Sequence, residues 1–316
     1  MPRATTVRQA RLRGCPACED VRRRAVGSRG ELVLHRCTGC GLVFLDPQPR
    51  DEVEQRYRES YDLAAHFGAR EQRKTVLFTR RLARLPTPST GQDRLCDVGC
   101  ADGQFLELAR RAGWQVCGVD LNPPAVERVR ARGIQVFEGL FETMEDLPWG
   151  SFDLVTSWDA LEHTAQPRAF AERLARLLAP GGWLALTTLN RRSLAFRVFG
   201  TRWSMVVPDH FTYWDRRSLR SLFAPHGLTV VREETFGLGR DFVQWVDRIS
   251  RRQRAGGGHG PRDDSHAGGW DTTAAVVVLE RLMNAGFRWL GGGVGVEMLL
   301  RAPGPQRPSP RASRLP

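Results

Sequence analysis

The stretch LCDVGCADGQFLELARRAG, residues 95–113, decides the fold. A short apolar run containing Asp97 leads into a glycine-containing turn and then into an amphipathic helix, which is typical of a buried strand followed by its crossover helix. Gly99 and Gly103 let the backbone turn sharply and approach a ligand without an intervening Cβ, and Ala101 is the smallest substitute for a third glycine. No Gly-Lys-Ser or Gly-Lys-Thr follows, which excludes a P-loop. The alternative is a tight turn that binds nothing.

A second strand candidate, QVCGVDLN (115–122), ends in Asp120, 23 residues after Asp97. An acid at the tip of the second strand of such a unit is placed to accept hydrogen bonds from a ribose diol. The same side chain is also a candidate N-cap for the helix that follows, PPAVERV. The spacing therefore favours a ligand that contains a nucleoside.

The rest of the chain supports a mostly parallel α/β sheet. From Arg94 onward, short apolar runs alternate with amphipathic helices. Before that point, Asp51 and Glu52 open a predicted helix, because acids suit the positive end of the helix dipole, and a second helix is expected at about 70–85. The predicted strands of the sheet are RLCDV, QVCGVD, IQVFEG, FDLVTSW, WLALTTL, LTVVREE and VGVEMLL.

Composition indicates an ordinary globular chain, with 316 residues of which 41% are hydrophobic and 26% are charged. No run reaches the ~18 apolar residues of a membrane span, and the basic N-terminus lacks the apolar core of a secretory signal. We therefore expect a cytoplasmic protein. The net charge of +12 leaves a nucleic-acid partner as an alternative, but the arginines are spread over the whole sequence rather than gathered in one stripe.

Two Cys-x-x-Cys pairs precede the sheet. Cys15 and Cys18 are separated by eighteen residues from Cys37 and Cys40. This spacing predicts a zinc ribbon, with a redox pair as the alternative. Four thiolates leave no position for water, so we expect a structural zinc ion that takes no part in the chemistry.

The motifs DVGCADGQF, GVDLNPPAV, LPWGSFDLVTSWDALEHTAQP and LARLLAPGGWLALTTLN stand in the order and at the intervals of class I S-adenosylmethionine-dependent methyltransferases. The chain resembles the bacterial small-molecule branch of that family. CTGCGLVFLDPQP followed by YRESYD is similar to the zinc-knuckle leader of some members, and GGVGVEMLLRAP resembles the family's last strand. The resemblance implies a Rossmann-like, mostly parallel sheet with an antiparallel last strand and a small N-terminal zinc-ribbon module.

The resemblance also implies a set of cofactor-binding residues. Asp97, Gly99, Ala101 and Gly103 would shape the pocket for the methionine part and the ribose of S-adenosylmethionine. Asp120 would hold the ribose hydroxyls.

Three further positions complete the implied cofactor pocket. Leu121 would pack on the adenine, Glu142 would face the adenine amine, and Asp159 would border the sulfonium and the substrate entrance. A general base assists transfer to a hydroxyl or an acidic carbon, and histidine is suited to that role near neutral pH. His163, beside the expected methyl group, and His210, in the expected substrate cover, are the catalytic candidates.

Asp159, Glu162 and His163 also have the spacing of a divalent-metal site. They resemble the Glu-x-x-Glu-His metal segment of some O-methyltransferases, so a catalytic Mg²⁺ is kept as an alternative.

The function predicted is methylation of a small-molecule, sugar or lipid-intermediate acceptor, on oxygen or carbon rather than nitrogen. One alternative is an RNA or protein methyltransferase guided by the zinc ribbon. It is weakened because SWDALEH (157–163) stands where an Asn/Asp-Pro-Pro-Tyr/Phe motif would be expected. The other alternative is a non-catalytic zinc protein that binds nucleic acid.

The sequence divides into segments of different composition. The expected organisation is a disordered basic N-terminus (1–12), a zinc ribbon (13–47), a helical connector (48–90), the methyltransferase domain (91–250), a flexible insertion (251–271), a C-terminal helix with the last strand (272–302) and a disordered tail (303–316).

Overall fold

The computed structural model describes residues 12–59, 71–88, 93–237, 286 and 291–304. The predicted insertion lies outside the described residues. So do residues 1–11 of the predicted N-terminus, most of the predicted C-terminal helix, and the tail from residue 305.

The described elements alternate between strands and helices over most of the chain. The strands are β1 (Arg23–Arg29), β2 (Leu32–Cys37), β3 (Val43–Leu45), β4 (Arg94–Val98), β5 (Gln115–Asp120), β6 (Gln135–Glu138), β7 (Phe152–Trp158), β8 (Leu178–Leu189), β9 (Thr212–Tyr213), β10 (Thr229–Phe236) and β11 (Gly295–Arg301). The helices are α1 (Arg50–Glu59), α2 (Glu71–Leu82), α3 (Gln104–Arg111), α4 (Pro123–Ala131), α5 (Pro167–Leu177), α6 (Leu194–Phe199) and α7 (Arg216–Phe223).

Seven strands form the central sheet, in the order β10-β11-β8-β7-β4-β5-β6. β11 runs antiparallel to both of its neighbours, whereas β8, β7, β4, β5 and β6 pair in parallel. All seven predicted strands are present. The prediction of a mostly parallel α/β sheet with an antiparallel last strand is therefore confirmed.

Burial explains why these strands read as apolar runs. Residues such as Leu95, Leu154 and Leu184 are fully buried, because helices and loops cover both faces of a parallel sheet. The carboxyl ends of β4, β5 and β7 meet at one edge of the sheet, which is where ligands bind in open α/β folds. This edge carries the candidate site.

The N-terminal strands belong to a second sheet of four antiparallel strands, in the order β1-β2-β3-β9. Its fourth strand comes from much later in the chain: Val43 pairs with Tyr213, and Phe44 pairs with Thr212. We call residues 15–45, which contain the four cysteines and strands β1 to β3, the cysteine hairpin. The pairing of β3 with β9 joins this hairpin to the segment that follows His210.

Among the described residues, no helix combines the length and the apolar character needed to cross a membrane.

Candidate active site

The glycine loop and the end of β5 are tied together by one carboxylate. The backbone N–H of Ala101 donates to Asp120 Oδ2 at 2.8 Å, and the N–H of Asn122 donates to Oδ1 at 2.9 Å. Gly99 (φ +78°) and Ala101 (φ +48°) both have left-handed backbone conformations. An alanine adopts this conformation at a cost of roughly 1–2 kcal/mol, so the bond to Asp120 helps to fix the loop.

Asp120 does not cap α4. Asn122 is the N-cap, and its Oδ1 accepts from the N–H of Ala125 at 2.8 Å. The capping alternative for Asp120 was therefore wrong, and its carboxylate instead lies in the lining of a cavity. Burial raises the pKa of Asp120, and its backbone hydrogen bonds oppose that rise.

Asp97 lies beneath the same loop, at the carboxyl end of β4. Its side chain is 1% exposed, and its Oδ1 accepts from the Thr156 hydroxyl at 2.6 Å. Burial is the main reason that the pKa of Asp97 rises to about 7. Among the described residues no cation forms an ion pair with this carboxyl group, which lies in the cavity lining.

The structure gathers most of the predicted cofactor residues in one cavity of about 540 Å³. The predicted residues that line it are Asp97, Gly99, Ala101, Asp120, Leu121, Glu142 and Asp159. Gly103 does not line it. This glycine (φ +76°) precedes α3, and a Cβ there would approach Val129 Cγ2 to 2.9 Å, so close packing against α4 requires a glycine.

Glu142 and Asp159 sit differently in this cavity. Glu142 is buried and accepts a hydrogen bond from the Thr164 hydroxyl, and burial raises its pKa. The side chain of Asp159 is 54% exposed, and its Oδ1 accepts from the Thr187 hydroxyl at 2.7 Å. Its φ of +54° is rare for a non-glycine residue, and such strain is typical of functional sites.

Arg81 of α2 also lines the cavity and was not predicted. Its side chain is 4% exposed, and its Cζ lies 4.8 Å from the centre of the Trp158 ring. Asp159 Oδ2 is 3.8 Å from Nη2, too far for a hydrogen bond. Neither Nη1 nor Nη2 has a hydrogen-bond partner among the described residues. Since buried polar groups are normally paired, this guanidinium suggests an anionic ligand.

The two candidate histidines lie side by side in the cavity lining. Their ring centres are 4.7 Å apart in an edge-to-face arrangement. His163 Nδ1 is 3.0 Å from the Asp209 carbonyl oxygen and 3.2 Å from the Tyr57 hydroxyl. Tyr57 was not predicted, because nothing in the sequence links a residue of α1 to the end of β7.

Glu162 is the third titratable group at the end of β7. It is buried, and its Oε2 accepts from the Thr188 hydroxyl at 2.8 Å. Burial, together with the nearby charge of Asp159, raises the pKa of Glu162 to about 8.

Asp159, Glu162 and His163 do not gather into a metal site in this structure. Within the described part of the chain, the group of side chains arranged to hold a metal ion is Cys15, Cys18, Cys37 and Cys40. The magnesium alternative therefore lacks a convergent donor set among the described residues.

The four cysteine sulfurs lie within 4.8 Å of one another. Cys15 and Cys40 have sulfurs 3.6 Å apart, and those of Cys18 and Cys37 are 3.5 Å apart. Tetrahedral zinc with bonds of ~2.3 Å places its sulfurs about 3.8 Å apart, so the donor set fits this ion. All four thiols are free, as metal ligands must be.

Comparison with known proteins identifies the fold. The family model described as a methyltransferase domain matches residues 69–233, and the chain belongs to this family. The confirmed prediction is membership of the class I S-adenosylmethionine-dependent methyltransferases.

Relatives named ubiquinone biosynthesis O-methyltransferase match part of the chain. The protein of Xanthomonas oryzae pv. oryzae (strain PXO99A) is 42% identical over 109 residues, which are 33% of this chain and 46% of the relative. That of Xanthomonas campestris pv. campestris (strain B100) is 39% identical over 120 residues, which are 36% of this chain and 49% of the relative. The chain spans about half the length of the curated relatives it matches.

Solved structures match more of the chain at lower identity. The complex of the Haloferax volcanii Trm112 methyltransferase activator with a putative methyltransferase gives a TM-score of 0.53 at 21% identity, covering 80% of this chain and 98% of the matched chain. An Archaeoglobus fulgidus SAM-dependent methyltransferase gives 0.50 at 18% identity, covering 75% and 99%. These likenesses show the fold alone.

Proposed function

We propose that this protein is an S-adenosylmethionine-dependent methyltransferase that methylates an oxygen atom of a small-molecule acceptor. The observation that carries the proposal is the presence of groups of opposite charge in one cavity. Nη1 and Nη2 of the buried Arg81 have no hydrogen-bond partner among the described residues, and they share the cavity with the partly buried carboxylate of Asp120. A ligand with both a carboxylate and a ribose diol satisfies both groups.

The residues of the cavity fit S-adenosylmethionine. Asp120 would accept hydrogen bonds from the ribose hydroxyls, and the backbone of Gly99 and Ala101 would pass close to the ligand. Arg81 would hold the methionine carboxylate, because a buried cation gains most from a charged partner. Asp97 would face the methionine amine.

The adenine end would be held by a second group of residues. Leu121 would pack on the base, and Glu142 would meet its amine. Burial raises the pKa of Glu142, and its carboxyl oxygens can accept a hydrogen bond from that amine. Asp159 would border the sulfonium at the entrance for the acceptor.

The cofactor, when bound, supplies an electrophilic methyl group on a neutral leaving group. The protein then has to orient the acceptor, exclude water and remove one proton. A ring nitrogen of His163 or His210 would take the proton of the acceptor hydroxyl as the new oxygen–carbon bond forms.

The acceptor class rests on the relatives. Their name describes O-methylation in ubiquinone biosynthesis, which is small-molecule chemistry on oxygen. This supports a small-molecule acceptor over RNA or protein for this chain.

The four cysteines would hold a structural zinc ion. Hydrogen bonding to Cys40 and burial raise the pKa of Cys15, while the bond to Cys15 lowers the pKa of Cys40. Gathering four thiols, three of them buried, without a cation would be costly once any is ionised, and zinc compensates thiolate charge. The division into zinc ribbon (13–47), connector (48–90) and methyltransferase domain (91–250 with 272–302) is part of the same proposal.

The proposal is tested with methyl-labelled S-adenosylmethionine and catechol as the probe acceptor. We expect labelled product together with S-adenosylhomocysteine. In His163→Gln we expect the rate of product formation to fall by about tenfold or more. If the protein binds the cofactor and yet methylates neither catechol nor other phenols, methylation of a phenolic oxygen is contradicted.

A further inference from the structure

The backbone carbonyl of Met205 accepts hydrogen bonds from two side chains. His210 Nδ1 lies 2.7 Å from this oxygen, and the Tyr213 hydroxyl donates to it at 3.2 Å. A carbonyl oxygen only accepts, so Nδ1 of His210 must carry a proton. In the neutral ring, the basic lone pair is therefore on Nε2.

Tyr213 is well placed to hold that carbonyl still. Its side chain is fully buried and lies against Phe196 and Trp203, with ring centres 6.2 Å away in each case. Burial raises the pKa of the Tyr213 hydroxyl, so it remains a donor at physiological pH. Tyr213 does not line the cavity, so it can act only through the groups it contacts.

The same segment is fixed on its other side by the cysteine-hairpin sheet. Tyr213 lies in β9 opposite Val43 of β3, and the N–H of Leu45 donates to the Phe211 carbonyl at 2.9 Å. The N–H of Phe211 in turn donates to the Glu162 carbonyl at 2.7 Å, one residue before His163. The backbone hydrogen bonds of Phe211 therefore connect the residues next to His163 and His210 to β3.

We propose that Tyr213 is a positioning residue for His210, acting through the Met205 carbonyl, and that β9 makes the cysteine-hairpin sheet part of the support of the active site. This deepens the proposed function and rests on it for its catalytic meaning. The hydroxyl fixes the carbonyl, the carbonyl fixes the tautomer and tilt of the His210 ring, and Nε2 remains the nitrogen able to accept a proton.

The test uses the full chain labelled with ¹⁵N-histidine, whose seven histidines are assigned by single substitutions. In the unmodified protein we expect His210 to carry its proton on Nδ1 when neutral. In Tyr213→Phe, which keeps the ring and removes the hydroxyl, we expect the His210 signals to shift and to report a mixture of tautomers. The signals of His226, which lies in the turn after α7, should stay unchanged.

Ser151→Ala is the matched control, because its hydroxyl also donates to a backbone carbonyl, that of Pro148, away from the cavity. It should leave the His210 signals unchanged. With catechol as the probe acceptor, Tyr213→Phe should lower kcat by about five- to twentyfold while the affinity for S-adenosylmethionine stays within twofold.

An Nε2–H tautomer of His210 in the unmodified protein overturns the proposal without any variant. Unchanged His210 signals in Tyr213→Phe overturn it as well. If the protein fails to bind S-adenosylmethionine while the tautomer and its dependence on Tyr213 are as expected, the proposed function is what fails, and the positioning relationship stands.

Discussion

The guanidinium of Arg81 stacks over the ring of Trp158 at 4.8 Å, and neither of its Nη atoms has a hydrogen-bond partner among the described residues. Two buried guanidinium nitrogens without hydrogen bonds are costly in the free protein, so their presence in the cavity lining indicates a ligand that compensates them.

Arg81→Ala should therefore weaken binding of S-adenosylmethionine by about 10- to 150-fold, since charged hydrogen bonds contribute ~1.5–3 kcal/mol. Calorimetric titration measures this. Arg80→Ala, at the exposed neighbouring position of the same helix, should change the affinity by less than twofold. If the two substitutions change the affinity equally, Arg81 does not bind the cofactor.

Asp120→Asn should also reduce cofactor affinity, by roughly tenfold or more, because an amide replaces one of the two carboxylate oxygens with a donor. The loss of affinity should be smaller for methionine analogues that lack both the adenine and the ribose. Asp146→Asn, at an exposed position, is the control. Loss of affinity of the same size for both ligands would place Asp120 away from the ribose.

Asp97 should make the free protein less stable as pH rises. Burial raises its pKa from the ordinary 3.8 to about 7. Between these values the unfolded chain releases a proton that the folded protein keeps, so stability falls with rising pH in this window and levels off above about 7.

Asp97→Asn removes this loss while keeping an oxygen for the Thr156 hydroxyl. It should stabilise the free protein at pH 8 by up to about 4 kcal/mol, and by little near pH 4. Thermal melts at the two pH values provide the measurement, with Asp146→Asn as the control. A gain that is the same at both pH values would contradict a raised pKa.

Cys37→Ser should release the metal and lower the melting temperature, because one of four zinc ligands is lost. Cofactor affinity should stay within about threefold if the methyltransferase sheet folds by itself. Cys117→Ala, outside the cluster, should keep one zinc ion per chain. Loss of cofactor binding in Cys37→Ser would instead show that the cysteine hairpin and the large sheet fold as one unit. The pairing of β3 with β9 would explain that result.

Local pattern predicted the large sheet and most of the residues proposed to bind the cofactor, since β4, the glycine loop and Asp120 are encoded within 27 consecutive residues. The same reasoning could not single out Arg81 from its neighbour Arg80, because only packing against Trp158 distinguishes them. β9 is two residues long and has no periodicity to detect. Its pairing with β3 joins segments about 170 residues apart, and such long-range contacts leave no local signal.

S-adenosylmethionine is the ligand proposed for this cavity. Calorimetric titration of the unmodified chain measures this binding. We expect one binding site per chain, with affinity reduced about tenfold or more in both Arg81→Ala and Asp120→Asn. A titration without binding to the unmodified chain, or binding that both substitutions leave intact, would contradict it.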